Sequence, residues 1–176
     1  PPRWLNQRFL GVKCTIGEDR ALTNEILAMG YDTVYQQAAV VHTVVPESYT
    51  KLCKMYLRWD RSYIREELRL LRIVWKRPLR ARCMTLFEQT VTNLRFPIAW
   101  TAMALLVALS IQDPHTIVRA LASIGTAATL YALYYLRSER SWNFVYGIAY
   151  AYFSFFSLFW VFPYALLTVR TRAWMT

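Results

Sequence analysis

Beyond Arg95 the chain all but loses its charges, and that change limits what it can fold into. Sixteen of the 21 Lys and Arg residues and nine of the 11 Asp and Glu residues lie at or before Arg95. The remainder is rich in Trp, Tyr, Phe, Leu and Ala, a composition suited to hydrocarbon rather than water. Three apolar runs can be marked. The first is centred on "FPIAWTAMALLVALSI" and, extended back to residue 91, reaches the ~20 residues a helix needs to cross a bilayer. Spans are therefore expected over about 91–111, 116–136 and 142–169. The third is longer than one crossing requires and contains Pro163, so a kink or a re-entrant break is expected there.

Loop charges orient these runs. Arg77, Arg80 and Arg82 precede the first and Arg137 and Arg140 follow the second, whereas the intervening "QDPH" has no Lys or Arg. The basic ends should face the cytoplasm, with the protein a multi-pass resident of the plasma (inner) membrane. The same reasoning disposes of nucleic acid as a partner for the net charge of +10, because the cations lie beside apolar spans, where anionic lipid explains them. Cys14, Cys53 and Cys83 are odd in number and lack CxxC spacing, and His42 and His115 are isolated, so no metal site is expected in this stretch of chain.

The charged part reads as soluble α/β and then as amphipathic helix. A helix is expected over 18–29, opened by "GEDR" and stopped by Gly30, followed by short strands in "YDTVYQ" and "AVVHTVV". A second helix should start near Ser48. In "DRSYIREELRLLRIVWKRP", Ile64, Leu68, Leu71 and Trp75 share one helical face and Arg61, Arg65, Arg69, Arg72 and Lys76 the other, as in a helix lying at a membrane interface. The chain opens at Pro1-Pro2 without a Met or a signal peptide, in what reads as the middle of a domain, so a fragment is expected.

Acids at a helix start complement the helix dipole, and for Glu18 and Asp19 that structural role is the first reading. In a cytoplasmic domain abutting a membrane bundle they have a second. Inverting glycosyl transfer needs one carboxylate to take the proton from an acceptor hydroxyl, and cations to face the departing diphosphate. Asp19 can be that base and Arg58 such a cation, while Trp59 offers a flat face for a sugar ring.

The stretches "WLNQRFLGVKCTIGEDRALTN" and "YLRWDRSYIRE" closely resemble the hyaluronan synthases and the nodulation-factor chitooligosaccharide synthases, membrane-embedded processive glycosyltransferases of family 2. The resemblance runs from Trp4 nearly to the C-terminal "RAWMT". It implies an α+β membrane protein: the C-terminal part of a GT-A-like α/β glycosyltransferase domain over 1–60, amphipathic interfacial helices over 61–90, and a bundle of about three transmembrane segments over 91–176. It also implies Asp19 as catalytic base with Glu18 the acid before it, Arg58 on the donor diphosphate, and Trp59 and Cys14 near the acceptor. Trp174 and Thr176 fall in a gating-like segment, which would require a cytoplasmic C-terminus and favours the re-entrant path. Implied partners are UDP-GlcNAc, UDP-GlcA, the growing polysaccharide and the bilayer. The implied cofactor is Mg2+ or Mn2+, bound by aspartates upstream of Pro1, so that this stretch by itself should be inactive.

The departures from the pattern are Met55 where the QxxRW motif has Gln, Met175 where the gating segment has Gly, and an end at Thr176 before that segment's Arg. Between products, Glu18 in "GEDR" leans toward chitooligosaccharide and Cys14 toward hyaluronan. Two other readings are transfer to a lipid phosphate carrier and a degenerate, non-catalytic membrane scaffold.

Overall fold

The computed structural model describes residues 7–14, 17–34, 36, 38–39, 41, 43–139 and 141–170. The chain is mostly helical. A short antiparallel hairpin, β1 (Gln7–Phe9) and β2 (Val12–Cys14), pairs Gln7 with Cys14 and Phe9 with Val12. Among the described residues six helices come after it: α1 (Glu18–Ala28), α2 (Tyr49–Ile73) with a 3-10 turn (Val74–Lys76), α3 (Leu79–Gln112), α4 (His115–Glu139), α5 (Phe144–Ser157) and α6 (Val161–Leu167). The chain divides into two compact units, residues 1–90 with 161–176, and residues 91–160.

In the first unit the helix boundaries have local causes. α1 begins after Gly17, whose backbone is left-handed (φ 84°), and is followed by Gly30 (φ 94°). Ser48 caps α2 by accepting a hydrogen bond from the Lys51 N–H. The strands expected after Gly30 do not form among the described residues: 31–34, 36, 38–39, 41 and 43–45 lie outside regular structure, with Val34, Val41, Val44 and Val45 exposed. β-branched residues favour a strand only where a neighbouring strand accepts the ladder. The one described sheet is the two-stranded hairpin, and it does not extend to them. The described residues thus show helices and one short hairpin, and not the sheet of a GT-A-like α/β domain.

α2 is the axis of this unit. It runs unbroken through residues 60 and 61, with α1 packed on one side and α6 on another. Enclosure by both explains why every residue from Arg61 to Glu66 is buried, Arg61 at 2% and Arg65 at 4% exposure. Both faces read from the sequence are thus split: Arg61 and Arg65 of the basic face and Ile64 of the apolar face are buried, while Arg72 of the one and Leu68, Leu71 and Trp75 of the other remain exposed. A helical wheel displays faces but not neighbours, and two neighbours decide the outcome here.

Among the described residues two helices are long and apolar enough to cross a membrane: α3, of 34 residues at mean hydropathy 1.8, and residues 115–137 of α4, at 1.4. The third run forms α5 and α6, which qualify as a span only taken together as a bent pair. The interruption falls at Leu158–Trp160 rather than at Pro163. Pro163 sits in the first turn of α6, where a missing N–H costs no hydrogen bond. In the second unit α4 packs on α5, and Tyr152 on α5 donates to the Leu121 carbonyl at 2.9 Å.

Candidate functional site

A cleft of about 420 Å³ opens where the start of α1 meets the middle of α2. Its walls are Gly17, Glu18, Asp19, Arg20, Arg58, Trp59 and Ser62. Four residues singled out in the sequence, Glu18, Asp19, Arg58 and Trp59, thus share one concavity, although they come from two motifs and two helices.

Gly17 makes the approach possible. A Cβ at this position would stand 1.6 Å from Ser62 Oγ and 2.6 Å from Ser62 Cβ, so only a residue without a side chain lets α1 start against α2. Its positive φ adds a second reason for glycine. From there the Ala21 N–H bonds to the Gly17 carbonyl at 3.1 Å, and Ala21 is fully buried. One turn later the buried Asn24 donates through Nδ2 to both the Glu66 carbonyl (3.0 Å) and Glu66 Oε2 (2.7 Å), while Arg69 pairs with Glu25. At the far end Arg77 donates to the Tyr31 carbonyl at 3.0 Å and pairs with Asp32. These polar clamps hold α1 at one rotation on α2, which keeps Asp19 beside Arg58 and Trp59.

Glu18, Asp19 and Arg58 are exposed at the cleft, and Trp59 is half exposed (51%), its ring edge-on to Tyr56 at 5.7 Å between centroids. Arg20 lies over the Tyr63 ring at 4.8 Å. Behind the cleft, Arg61 donates through Nε and a terminal nitrogen to Thr168 Oγ1 at 3.1 and 2.8 Å, joining α2 to the end of α6. Burial lowers the pKa of Arg61 from the ordinary arginine value, with nearby Tyr164 acting in the opposite direction and Arg65 in the same one.

An accessible carboxylate, a guanidinium and an indole face around one cleft can accept a proton, oppose phosphate charge and stack a ring. Among the described residues no three His, Cys, Asp or Glu side chains cluster around a common point. A larger cleft of about 850 Å³, between the hairpin and the second half of α2, is lined by Arg8, Arg65, Arg69, Arg72 and Trp75, but its one carboxylate, Glu66, is bonded to Asn24. The smaller cleft is the one with an accessible carboxylate.

Other expected site residues fall elsewhere. Cys14 ends β2, and its side chain lies outside the described residues, as does the whole C-terminal segment with Trp174 and Thr176. Met55 is not part of the cleft wall. Gly17, Arg20 and Ser62 join the cleft; they lie within "GEDR" and "YLRWDRSYIRE", but the motif reading assigns them no role. Ser62 is within reach of sequence reasoning, since it stands three residues beyond Trp59 and four beyond Arg58, on the same face of α2.

No family model matches the chain. Curated relatives do match part of it. Hyaluronan synthase 3 of Homo sapiens is 43% identical over 65 residues, which is 37% of this chain and 12% of that protein. Hyaluronan synthase 1 of Xenopus laevis is 43% identical over 65 residues, and hyaluronan synthase 2 of Gallus gallus 42% over 65. The matched stretch spans 11% and 12% of those two proteins. A 65-residue segment of the chain is therefore hyaluronan synthase-like, a shorter extent than the near-complete likeness expected from the sequence.

Proposed function

We propose that the chain is part of a membrane-embedded, processive, inverting polysaccharide synthase that transfers N-acetylglucosamine, alternating with glucuronate in a hyaluronan-like product, from UDP-sugars. The observation that carries this reading is the single cleft joining Asp19, Arg58 and Trp59 in a chain with a hyaluronan synthase-like segment. In this reading the non-reducing sugar of the growing polymer stacks on Trp59. The Asp19 carboxylate takes the proton from its hydroxyl as that oxygen bonds to the anomeric carbon of the donor. The bond from that carbon to the UDP oxygen breaks on the opposite face, and Arg58 opposes the charge left on the diphosphate. Glu18 stands beside the base and adds negative potential that favours proton transfer. A divalent metal, where the donor needs one, takes its ligands from outside the described residues, and polymer export would run between the apolar helices.

The test is Trp59→Ala in the full-length protein assembled in membranes. Polymer synthesis should fall further than UDP-sugar hydrolysis, because the sugar loses its stacking face while water still reaches the donor. Equal losses of both would contradict the acceptor role. The loop charges support an orientation with the basic ends cytoplasmic. An impermeant thiol reagent should then label Gln112→Cys, but not Arg170→Cys, in intact cells lacking the native cysteines. Labelling of Arg170→Cys would contradict the re-entrant path.

A further inference from the structure

One polar atom of the cleft has no task in the proposed transfer. Ser62 is 3% exposed, lines the cleft with Asp19, Arg58 and Trp59, and its Oγ has no hydrogen-bond partner among the described residues. A buried hydroxyl left unbonded is costly, so a native structure completes it from outside the protein, with water or a ligand. The surroundings explain the vacant bond. Ser62 faces the backbone of Gly17, so closely that a Cβ there would clash with Oγ, and no side chain can be interposed from that direction.

We propose that Ser62 is a ligand-contacting residue, its hydroxyl bonding a hydroxyl or amide group of the sugar that stacks on Trp59; this rests on the acceptor reading of Trp59. Position on the helix supports it. Ser62 comes three residues after Trp59, so the two side chains lie one above the other on α2, both toward the cleft. Stacking holds a ring against a plane but leaves it free to turn within that plane. One directional bond at the ring's edge removes that freedom and selects which hydroxyl is presented to Asp19. The chemistry favours a neutral sugar over a phosphate: a hydroxyl both donates and accepts, as sugar hydroxyls do, whereas the cations that suit a phosphate, Arg20 and Arg58, are other residues of the wall.

The test is Ser62→Ala in the full-length protein in lipid nanodiscs, with Trp59→Ala as control. The probes are the N-acetylglucosamine tetramer, monitored by tryptophan fluorescence or calorimetry, and UDP. Ser62→Ala should weaken the tetramer about three- to tenfold, the range of one neutral hydrogen bond. It should leave UDP binding unchanged, and without ligand it should keep or raise the unfolding temperature, since an unbonded polar atom has been removed. Tetramer binding equal to wild type, with Trp59→Ala binding lost, overturns the role of Ser62 and leaves the acceptor reading standing. Failure of the wild-type protein to bind the tetramer, or indifference to Trp59→Ala, overturns the reading beneath it. Weakened UDP with unchanged tetramer assigns the hydroxyl to the diphosphate, and a lowered unfolding temperature with parallel loss of both ligands makes Ser62 structural; each overturns the proposal.

Discussion

The two compact units hold themselves together by opposite means. In residues 1–90 with 161–176, the interior includes Asn24, Arg61, Ser62, Arg65 and Glu66 beside the apolar Ala21, Leu57, Ile64 and Val74. In residues 91–160 the helices are mostly apolar, with Arg95, Arg119, Arg137 and Glu139 the charged exceptions, and Ala132 is the one buried side chain among the described residues. Leu130, Tyr131, Leu133 and Tyr134 are all more than half exposed. Hydrophobicity in the second unit therefore serves a surrounding hydrocarbon rather than a core. The first unit buries polar groups whose bonds are directional, and direction is what a reactive cleft requires. Apolar packing fills space, whereas a buried amide bonded to the backbone carbonyl and to one carboxylate oxygen of the same glutamate fixes a helix at one rotation.

That contrast ranks the consequences of substitution. Gly17→Ala should have the largest effect. The added carbon meets Ser62 Oγ at 1.6 Å on a left-handed backbone, so the start of α1 must move away from α2. A shift of about 1 Å at Asp19 should reduce polymer synthesis by about a hundredfold, with the helical circular dichroism of the membrane part unchanged. A loss of less than tenfold would show that the cleft tolerates movement.

Next comes Asn24→Ala, which leaves the Glu66 carbonyl and carboxylate without their buried donor. It should destabilise the first unit by about 1–3 kcal/mol, measured by thermal unfolding in detergent. Gly125→Ala is the counterpart in the second unit, and its effect should be smaller. There the new carbon would meet Tyr152 Oη at 2.3 Å, but that is the tip of a side chain able to turn aside, losing its bond to the Leu121 carbonyl. A cost of about 1 kcal/mol is expected. A cost from Gly125→Ala exceeding that of Asn24→Ala would reverse the contrast between the units.

The parts legible in the sequence are those with local causes. Gly17, Gly30 and Ser48 mark helix ends through backbone conformation and capping, and the apolar runs name themselves by length. Features that depend on a distant partner are not legible. The valines of 34–45 favour strands, yet the described structure offers them no sheet to join. Arg61 and Arg65 look like surface cations until α6 and α1 enclose them. Proline breaks helices, which points to Pro163 as the break, but in a first turn it starts one, and the interruption lies before it. At the site, motif spacing suggests Asp19, Arg58 and Trp59. The orphan hydroxyl of Ser62 becomes visible only through the packing of Gly17.

The central claim is that the cleft between α1 and α2 carries out glycosyl transfer with Asp19 as its base. The most direct measurement is polymer synthesis and UDP-sugar binding by Asp19→Asn in the full-length protein, at matched expression and assembly. Removing a general base while keeping its shape should lower synthesis by at least about a hundredfold and leave donor binding close to wild type. Retention of more than about a tenth of the wild-type rate, well above what loss of a general base allows, would contradict the claim and return Asp19 to a helix-start role.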